Sequence, residues 1–213
     1  VDLLDGHLAA ELDDEVDEVQ WMSVDDAVGH LTYPRDGELV HLAAHMPVTS
    51  PLILLRHTRA VKRSDFKGVV DADRPLTGRG RTQAKDLVPL LAAFGIEGVY
   101  SSDTERCRET VRKFAKSIDA SVNLEPWLSE TGHEEHPRRT AKRMLHLLCD
   151  PKPLVVCTHR PVLPTLIEAI AGLRITGPID LDHRLPPGGF LVLHREFDDH
   201  DEPVIRAIEQ HAV

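Results

Sequence analysis

Short, continuous runs of apolar residues recur along this chain, and segments with helical periodicity separate them. The runs are residues 52–55 (LILL), 98–100 and 154–157 (LVVC), and two further predicted strands, residues 190–195 and 204–208, are apolar except for His194, Arg195 and Arg206. The segments with helical spacing are residues 78–94, 104–116, 138–148 and 163–171. A strand that is apolar at every position is buried on both faces, which is typical of a parallel sheet with helices on either side. The pattern therefore predicts an α/β fold of three layers, α/β/α, with a mostly parallel central sheet.

Polar residues directly follow three of these runs. The pairs are Arg56-His57 after residues 52–55, Ser101-Ser102 after residues 98–100, and Thr158-His159 after residues 154–157. Because ligands bind in the crevice at the carboxyl ends of parallel strands, we expect these residues to converge. The N-termini of the following helices and the forked guanidinium groups of arginine both favour an anion. The sequence therefore predicts a phosphate-binding site.

Taken together, these stretches resemble the histidine phosphatase (phosphoglycerate mutase-like) superfamily. The similar segments are residues 54–57 (LLRH), 74–84 (RPLTGRGRTQA), 101–110 (SSDTERCRET) and 155–159 (VVCTH). They extend over roughly residues 51–195, and their short spacing is most similar to the compact branch that includes phosphohistidine phosphatases. The resemblance implies a metal-independent hydrolase with a histidine phosphatase-like fold.

Carried over residue by residue, the resemblance implies that His57 is the nucleophile that takes the phosphoryl group. Arg56, Arg106 and His159 would then hold the phosphoryl oxygens. Elementary chemistry agrees, since a histidine nucleophile must be neutral and neighbouring arginines lower its pKa. Fixed cations also neutralise the charge of a phosphoryl transition state.

A carboxylate supplies the general acid in this family, from the region after the second arginine. Glu130 is the candidate here, with Glu134 and Glu135 as alternatives. For Glu130, the other interpretation is a solvated loop acid without a catalytic role.

Two residues depart from the family pattern. Thr58 replaces the glycine of the Arg-His-Gly motif, and Thr158 stands where the family usually has a smaller residue. The side chain of Thr58 would either crowd the nucleophile or donate a hydrogen bond to the phosphate. Three functions therefore stay open: a phosphatase acting on a nucleotide, a protein phosphohistidine phosphatase, and a non-catalytic phosphate-binding or docking domain.

The formal net charge of −10 argues against nucleic acids and anionic membranes as partners, but the charge is uneven. Residues 1–50 hold 12 acids and one base, whereas residues 56–116 hold 14 bases and 8 acids. The basic middle of the chain suits a phosphorylated small molecule. Two prolines within residues 47–51 predict a linker, which would divide residues 1–46 from a domain over residues 52–213.

The acidic N-terminal segment predicts a short strand at residues 19–23 and a helix capped at Ser23. Residues 14–27 and 31–36 resemble the closing strand and helix of a Nudix hydrolase, although the magnesium-binding box of that family is absent from the sequence. Because the chain opens on Val1, we expect the Nudix chemistry and its Mg²⁺ in an upstream segment, as a second chain or a removed part. The pair resembles two-domain MutT-type nucleotide-sanitising proteins, which implies oxidised guanine nucleotides and diadenosine polyphosphates as substrates of the Nudix part.

The remaining sequence features concern compartment and metal. The three cysteines form no CxxC pair, and neither a signal peptide nor an apolar stretch of about 20 residues is present, so we expect a cytoplasmic protein with reduced thiols. His133-Glu134-Glu135-His136 lacks the His-Glu-x-x-His spacing, so we expect no metal in the phosphatase domain.

Overall fold

The structure is a computed structural model that describes residues 20–176 and 184–213. Contacts divide the chain into two compact units, with the boundary between Pro47 and Val48. In the smaller unit, helix α1 (Val24–His30) is capped as predicted, because the Ser23 hydroxyl accepts from the Asp26 backbone N–H. The strand predicted over residues 19–23 is wrong for residues 20–23, which are irregular. The acidic residues 11–18 of the Nudix-like segment lie outside the described residues.

The larger unit follows the predicted alternation of strands and helices. Besides α1, the helices are α2 (Pro34–Ala44) of the smaller unit, then α3 (Gly78–Ala92), α4 (Glu105–Ser117), α5 (Glu130–Glu135), α6 (Pro137–Leu148) and α7 (Leu163–Ala171). The strands are β1 (Ser50–Arg56), β2 (Gly98–Ser101), β3 (Val122–Leu124), β4 (Leu154–Thr158), β5 (Arg174–Ile175), β6 (Phe190–Phe197) and β7 (Pro203–His211).

The strands form one sheet in the order β3-β2-β4-β1-β6-β7-β5. Strands β3, β2, β4 and β1 are parallel, β6 is antiparallel to β1, and β7 is antiparallel to β6. Strand β5 runs parallel to β7, so β6 is the one described strand that opposes the others. The mostly parallel sheet is therefore confirmed.

The sheet is buried on both faces because successive side chains of its central strands point in opposite directions. Leu52 and Leu54 of β1 pack into one cluster with side chains of α6 and α7. Ile53 and Leu55 pack into a second cluster with side chains of α3 and α4. The two clusters make the three layers that the uninterrupted apolar strands predict.

Three details differ from the sequence expectations. Strand β1 already begins at Ser50, so the predicted linker at 47–51 is too long. Pro51 is the second residue of the strand. Strands β3 and β5 were not expected, since each is only two or three residues long. Glu130 does not lie in a loop but is the first residue of α5, whose N-cap is Ser129.

Within the described residues, none of the helices has the length and apolar character needed to cross a bilayer.

Candidate active site

The site is built where β1, β2 and β4 end side by side. Arg56 pairs with Thr158 across β1 and β4, and Ser101 pairs with Cys157 across β2 and β4. The residue that follows each strand is consequently delivered to the same edge of the sheet. The His57 backbone N–H donates to the Thr158 carbonyl at 3.0 Å, which ties the first histidine to the end of β4.

His57 is held as a neutral imidazole with one nitrogen free. Its Nδ1 lies 2.7 Å from the Thr58 carbonyl oxygen, which can only accept, so Nδ1 carries the proton and Nε2 keeps its lone pair. Burial lowers the pKa of His57 to about 4, and His159 and Arg106 add to the effect. Sequence reasoning named neighbouring arginines as the cause of a low pKa, but removal from water is the larger one.

His159 is fully buried beside this nucleophile. The two imidazole rings lie edge to face with their centroids 5.1 Å apart. His159 Nε2 is 2.9 Å from the Ser102 hydroxyl, and Nδ1 accepts from Arg106 Nε at 3.3 Å. The second histidine is therefore oriented from two sides by residues that follow β2.

Arg106 is a buried cation near the start of α4, 1% exposed. Its Nη1 donates to the Asp71 backbone carbonyl at 2.9 Å and lies 3.2 Å from Asp71 Oδ2. Its Nη2 donates to Glu130 Oε1 at 3.0 Å. Two carboxylates thus compensate the charge of a guanidinium that a phosphate group would otherwise bind.

Glu130 lies in this network. Its Oε1 is 3.4 Å from His159 Nδ1, and its Oε2 is 3.8 Å from Arg63 Nη2. The alternatives Glu134 and Glu135 are exposed on α5. Of the three carboxylates that the sequence offers, Glu130 is the one that the structure brings to Arg106 and His159.

Arg56 is the last residue of β1 and directly precedes His57, which places it at the site. Its Nη1 donates to the Leu185 carbonyl at 2.6 Å. Its Nε is buried and has no hydrogen-bond partner among the residues that the structure describes. Burial lowers the pKa of Arg56, and the nearby Arg160 contributes. An unpaired buried N–H beside the nucleophile is an available donor for an anionic oxygen.

Sequence reasoning missed Asp71. It lies in a 3₁₀ turn (Asp71–Asp73) of the long loop between β1 and α3 and accepts from Arg74 Nε at 2.8 Å and Arg63 Nε at 3.1 Å. Its partial burial raises the pKa of this carboxyl, but the hydrogen bonds from the two arginines outweigh burial and hold the pKa well below its usual range. The one signal in the sequence is Arg74, which opens the Arg-Pro-Leu-Thr block.

The Thr58 side chain is accommodated without offering a hydrogen bond to the anion site. It is fully buried, and its backbone N–H donates to the Thr110 hydroxyl at 3.1 Å. Thr110 gives its own proton to the Arg106 carbonyl, so the Thr58 hydroxyl at 3.3 Å is the donor of that pair. Thr158 likewise turns away and donates to the Leu128 carbonyl at 2.7 Å. Neither threonine offers its proton to a phosphate.

The histidine-rich segment at residues 133–136 follows Glu130 on and just after α5. His133 Nε2 lies 2.8 Å from the Thr165 hydroxyl. Among residues 20–176 and 184–213, no three histidine, cysteine, aspartate or glutamate side chains are grouped so that they could hold a metal ion.

A sequence model of the histidine phosphatase superfamily (branch 1) matches residues 52–150. The 8-oxo-(d)GTP phosphatase of Mycolicibacterium smegmatis is 38% identical over 156 residues, which make up 73% of this chain and 48% of that protein. The chain thus spans about half the length of the curated relative that it matches. His159 lies beyond the range of the superfamily match, and β4 is what brings it to His57.

Two solved structures share the fold. The protein histidine phosphatase SixA complexed with tungstate superposes with a TM-score of 0.53 at 18% identity, over 74% of this chain and 95% of that chain. A mycobacterial glucosyl-3-phosphoglycerate phosphatase in complex with VO3 gives a TM-score of 0.54 at 16% identity, over 77% of this chain and 98% of that chain. Likenesses at this level of identity concern the fold alone, and they confirm the predicted fold class.

Proposed function

We propose that the domain containing residues 52–150, which match the histidine phosphatase superfamily, is a hydrolase that works through a phosphohistidine at His57. The observation that carries the proposal is the state of that side chain. It is a half-buried, neutral imidazole with Nδ1 occupied by the Thr58 carbonyl and Nε2 free. Its partner ring, His159, is bonded in turn to the buried Arg106.

In the first step, the lone pair of His57 Nε2 bonds to phosphorus while the bond from phosphorus to the leaving oxygen breaks. Arg56, Arg106 and His159 hold the equatorial oxygens and neutralise their negative charge. Phosphoryl transfer depends more on such neutralisation of the transition state than on covalent assistance. In the second step, water attacks phosphorus, and the electrons of the nitrogen–phosphorus bond return to Nε2 as inorganic phosphate is released.

Glu130 is the proposed general acid. It gives its proton to the leaving oxygen in the first step and recovers one from water in the second. Its contact with Arg106 supports this role, because phosphoryl oxygens that take the guanidinium deprive the carboxylate of its cation. A carboxyl group that loses a neighbouring positive charge holds a proton more readily.

A nucleotide is the substrate we propose. Support comes from the relative named as an 8-oxo-(d)GTP phosphatase and from the Nudix-like residues at the start of the chain. The histidine phosphatase domain would remove phosphate without a metal. A Nudix segment upstream, with its own Mg²⁺, would act on oxidised guanine nucleotides or diadenosine polyphosphates as its partner in nucleotide sanitisation.

The test is His57→Ala in the full chain, with His146→Ala as the matched control, since His146 is exposed on α6. We expect His57→Ala to lower the release of phosphate from nucleoside di- and triphosphates by about a thousandfold or more, as when a covalent nucleophile is removed. The acid-labile phosphoenzyme should vanish with it, while His146→Ala keeps both.

Other outcomes discriminate among the remaining functions. Activity that is abolished by EDTA would point to Nudix chemistry instead of His57. Turnover of a phosphorylated carrier protein, with none of nucleotides, would establish a protein phosphohistidine phosphatase. Anion affinity without any turnover would establish a docking domain, although the engagement of Thr58 by Thr110 removes the observation that favoured one.

A further inference from the structure

A pocket with a volume of about 370 Å³ opens in the loop between β1 and α3. Its lining consists of Arg63, Phe66, Gly68, Val69 and Asp71. The volume falls within the range of small-molecule sites in proteins. The phosphoryl transfer described above leaves Phe66, Gly68 and Val69 without a role.

The polar side of the pocket is shared with the catalytic network. Asp71 lines the pocket and also pairs with Arg106 at 3.2 Å. Arg63 lines it too, and its Nη2 lies 3.8 Å from Glu130 Oε2. A group in the pocket therefore lies next to the residues that hold the transferred phosphoryl group and protonate the leaving oxygen. The leaving group of the proposed transfer must also lie next to these residues.

The other side of the pocket is apolar and aromatic. Gly68 packs so closely on the half-buried Phe66 that a Cβ there would come within 2.3 Å of the ring carbon Cζ. Val69 next to it is fully exposed. A loop that leaves a ring and a branched aliphatic side chain at the mouth of a polar site offers a stacking surface, and every nucleobase has a π-face to stack on it.

Arg63 supplies a positive charge to the pocket. The Arg63 side chain is 71% exposed, and its Nε is bound to Asp71 at 3.1 Å. The rest of its guanidinium fork can donate to two oxygens of a phosphate group. A nucleoside diphosphate that transfers its terminal phosphoryl group leaves a nucleoside monophosphate, which carries both an aromatic base and a second phosphate.

We propose that this pocket binds the leaving group and takes the nucleoside part of a nucleotide, with the base stacked on Phe66 and the retained phosphate paired with Arg63. The assignment rests on the proposed phosphohistidine mechanism. It makes Phe66 the residue that distinguishes nucleotides from phosphate donors that lack a base.

The experiment compares GDP, 8-oxo-GDP and phosphoramidate as substrates of the full chain. The variants are Phe66→Ala, Phe66→Trp and, as an exposed apolar control on α3, Leu90→Ala. We expect the ratio of kcat/KM for GDP to that for phosphoramidate to fall about tenfold in Phe66→Ala, the size of one lost base–aromatic stack. Phe66→Trp should restore the ratio, and Leu90→Ala should leave it unchanged.

The outcomes separate the two proposals. If phosphoramidate is hydrolysed and Phe66→Ala leaves the ratio unchanged, the leaving-group pocket is overturned while the phosphohistidine mechanism stands. A wild-type preference for a phosphorylated carrier protein over GDP also overturns the nucleoside assignment alone. Absence of turnover with every donor overturns both. Thermal denaturation of Phe66→Ala and the rescue by Phe66→Trp distinguish a lost stack from a collapsed loop.

Discussion

At the scale of single residues, the surroundings of His57 determine its chemistry more than its residue type does. An exposed histidine titrates near pH 6.5, so a large share of it is protonated in mildly acidic solution. Here burial penalises the charged ring, and the Thr58 carbonyl fixes the proton of the neutral ring on Nδ1. The result is a nucleophile that stays unprotonated over the whole physiological range.

This state can be measured directly. We expect the imidazole of His57 to titrate with a pKa of about 4, because burial is the largest influence on it. An NMR titration of its Hε1 resonance, assigned by comparison with His57→Ala, would show this. Since the unfolded chain then binds more protons than the folded one between about pH 4 and 6.5, this residue makes folding less stable as the pH falls through that window. A midpoint near 6.5 would contradict the burial argument.

At the scale of elements, the Arg-Pro-Leu-Thr block fastens α3 to the strand end that carries the nucleophile. Thr77 caps α3 by accepting from the Gly80 N–H, and its hydroxyl donates to the Arg59 carbonyl at 3.0 Å. A Cβ at Gly80 would approach that same carbonyl oxygen to 2.0 Å. Only glycine therefore lets α3 begin this close to the segment that follows His57.

Arg195 connects elements at the end of the sheet that lies away from the candidate active site, where β1 begins. This buried side chain of β6 donates to the carbonyls of Leu148, Asp150 and Lys152 at 2.7–2.9 Å, and its Nε donates to the Ser50 carbonyl at 3.2 Å. Burial lowers its pKa to about 10. One guanidinium thus holds the end of α6, the approach to β4 and the start of β1 in place.

We expect Arg195→Met to lower the free energy of unfolding by about 3 kcal/mol, because several buried carbonyls lose a charged donor at once. Arg206→Met is the matched control. Its exposed side chain on β7 pairs with Glu196, and such surface pairs contribute about 1 kcal/mol or less. Urea denaturation followed by circular dichroism gives both values. Equal losses in the two variants would mean that the Arg195 network adds little to stability.

At the scale of the whole molecule, the chain consists of two units of different charge and content. Residues 1–47, with 12 acids and one base, carry the whole acidic excess, whereas the larger unit carries the sheet, both apolar clusters and the candidate active site. The identity of the smaller unit as the end of a Nudix domain stays a prediction. The larger unit contains a core of its own, which is the requirement for independent folding.

A fragment of residues 48–213 should therefore fold and act by itself. We expect its Tm to lie within about 4 °C of that of the full chain, a difference of roughly 1 kcal/mol or less, with kcat/KM for phosphoramidate unchanged. A second fragment, residues 54–213, removes half of β1, including the fully buried Leu52 and Ile53. It should not unfold cooperatively. Loss of structure in the longer fragment would place the domain boundary before Val48.

By itself, the sequence determined the fold class and which strand ends lie side by side. Apolar runs without interruption imply strands buried on both faces, and the residues at their ends must meet because parallel strands end at one edge. Those local patterns were sufficient to predict that His57 and His159 converge, whereas Arg106 was named through the family resemblance. Only the tertiary structure decided that Asp71, 35 residues away along the chain, neutralises Arg106, and that Glu130 rather than Glu134 or Glu135 meets it. Periodicity reports which face of an element is buried, whereas burial of a particular ring and contacts across distant loops depend on how the elements pack.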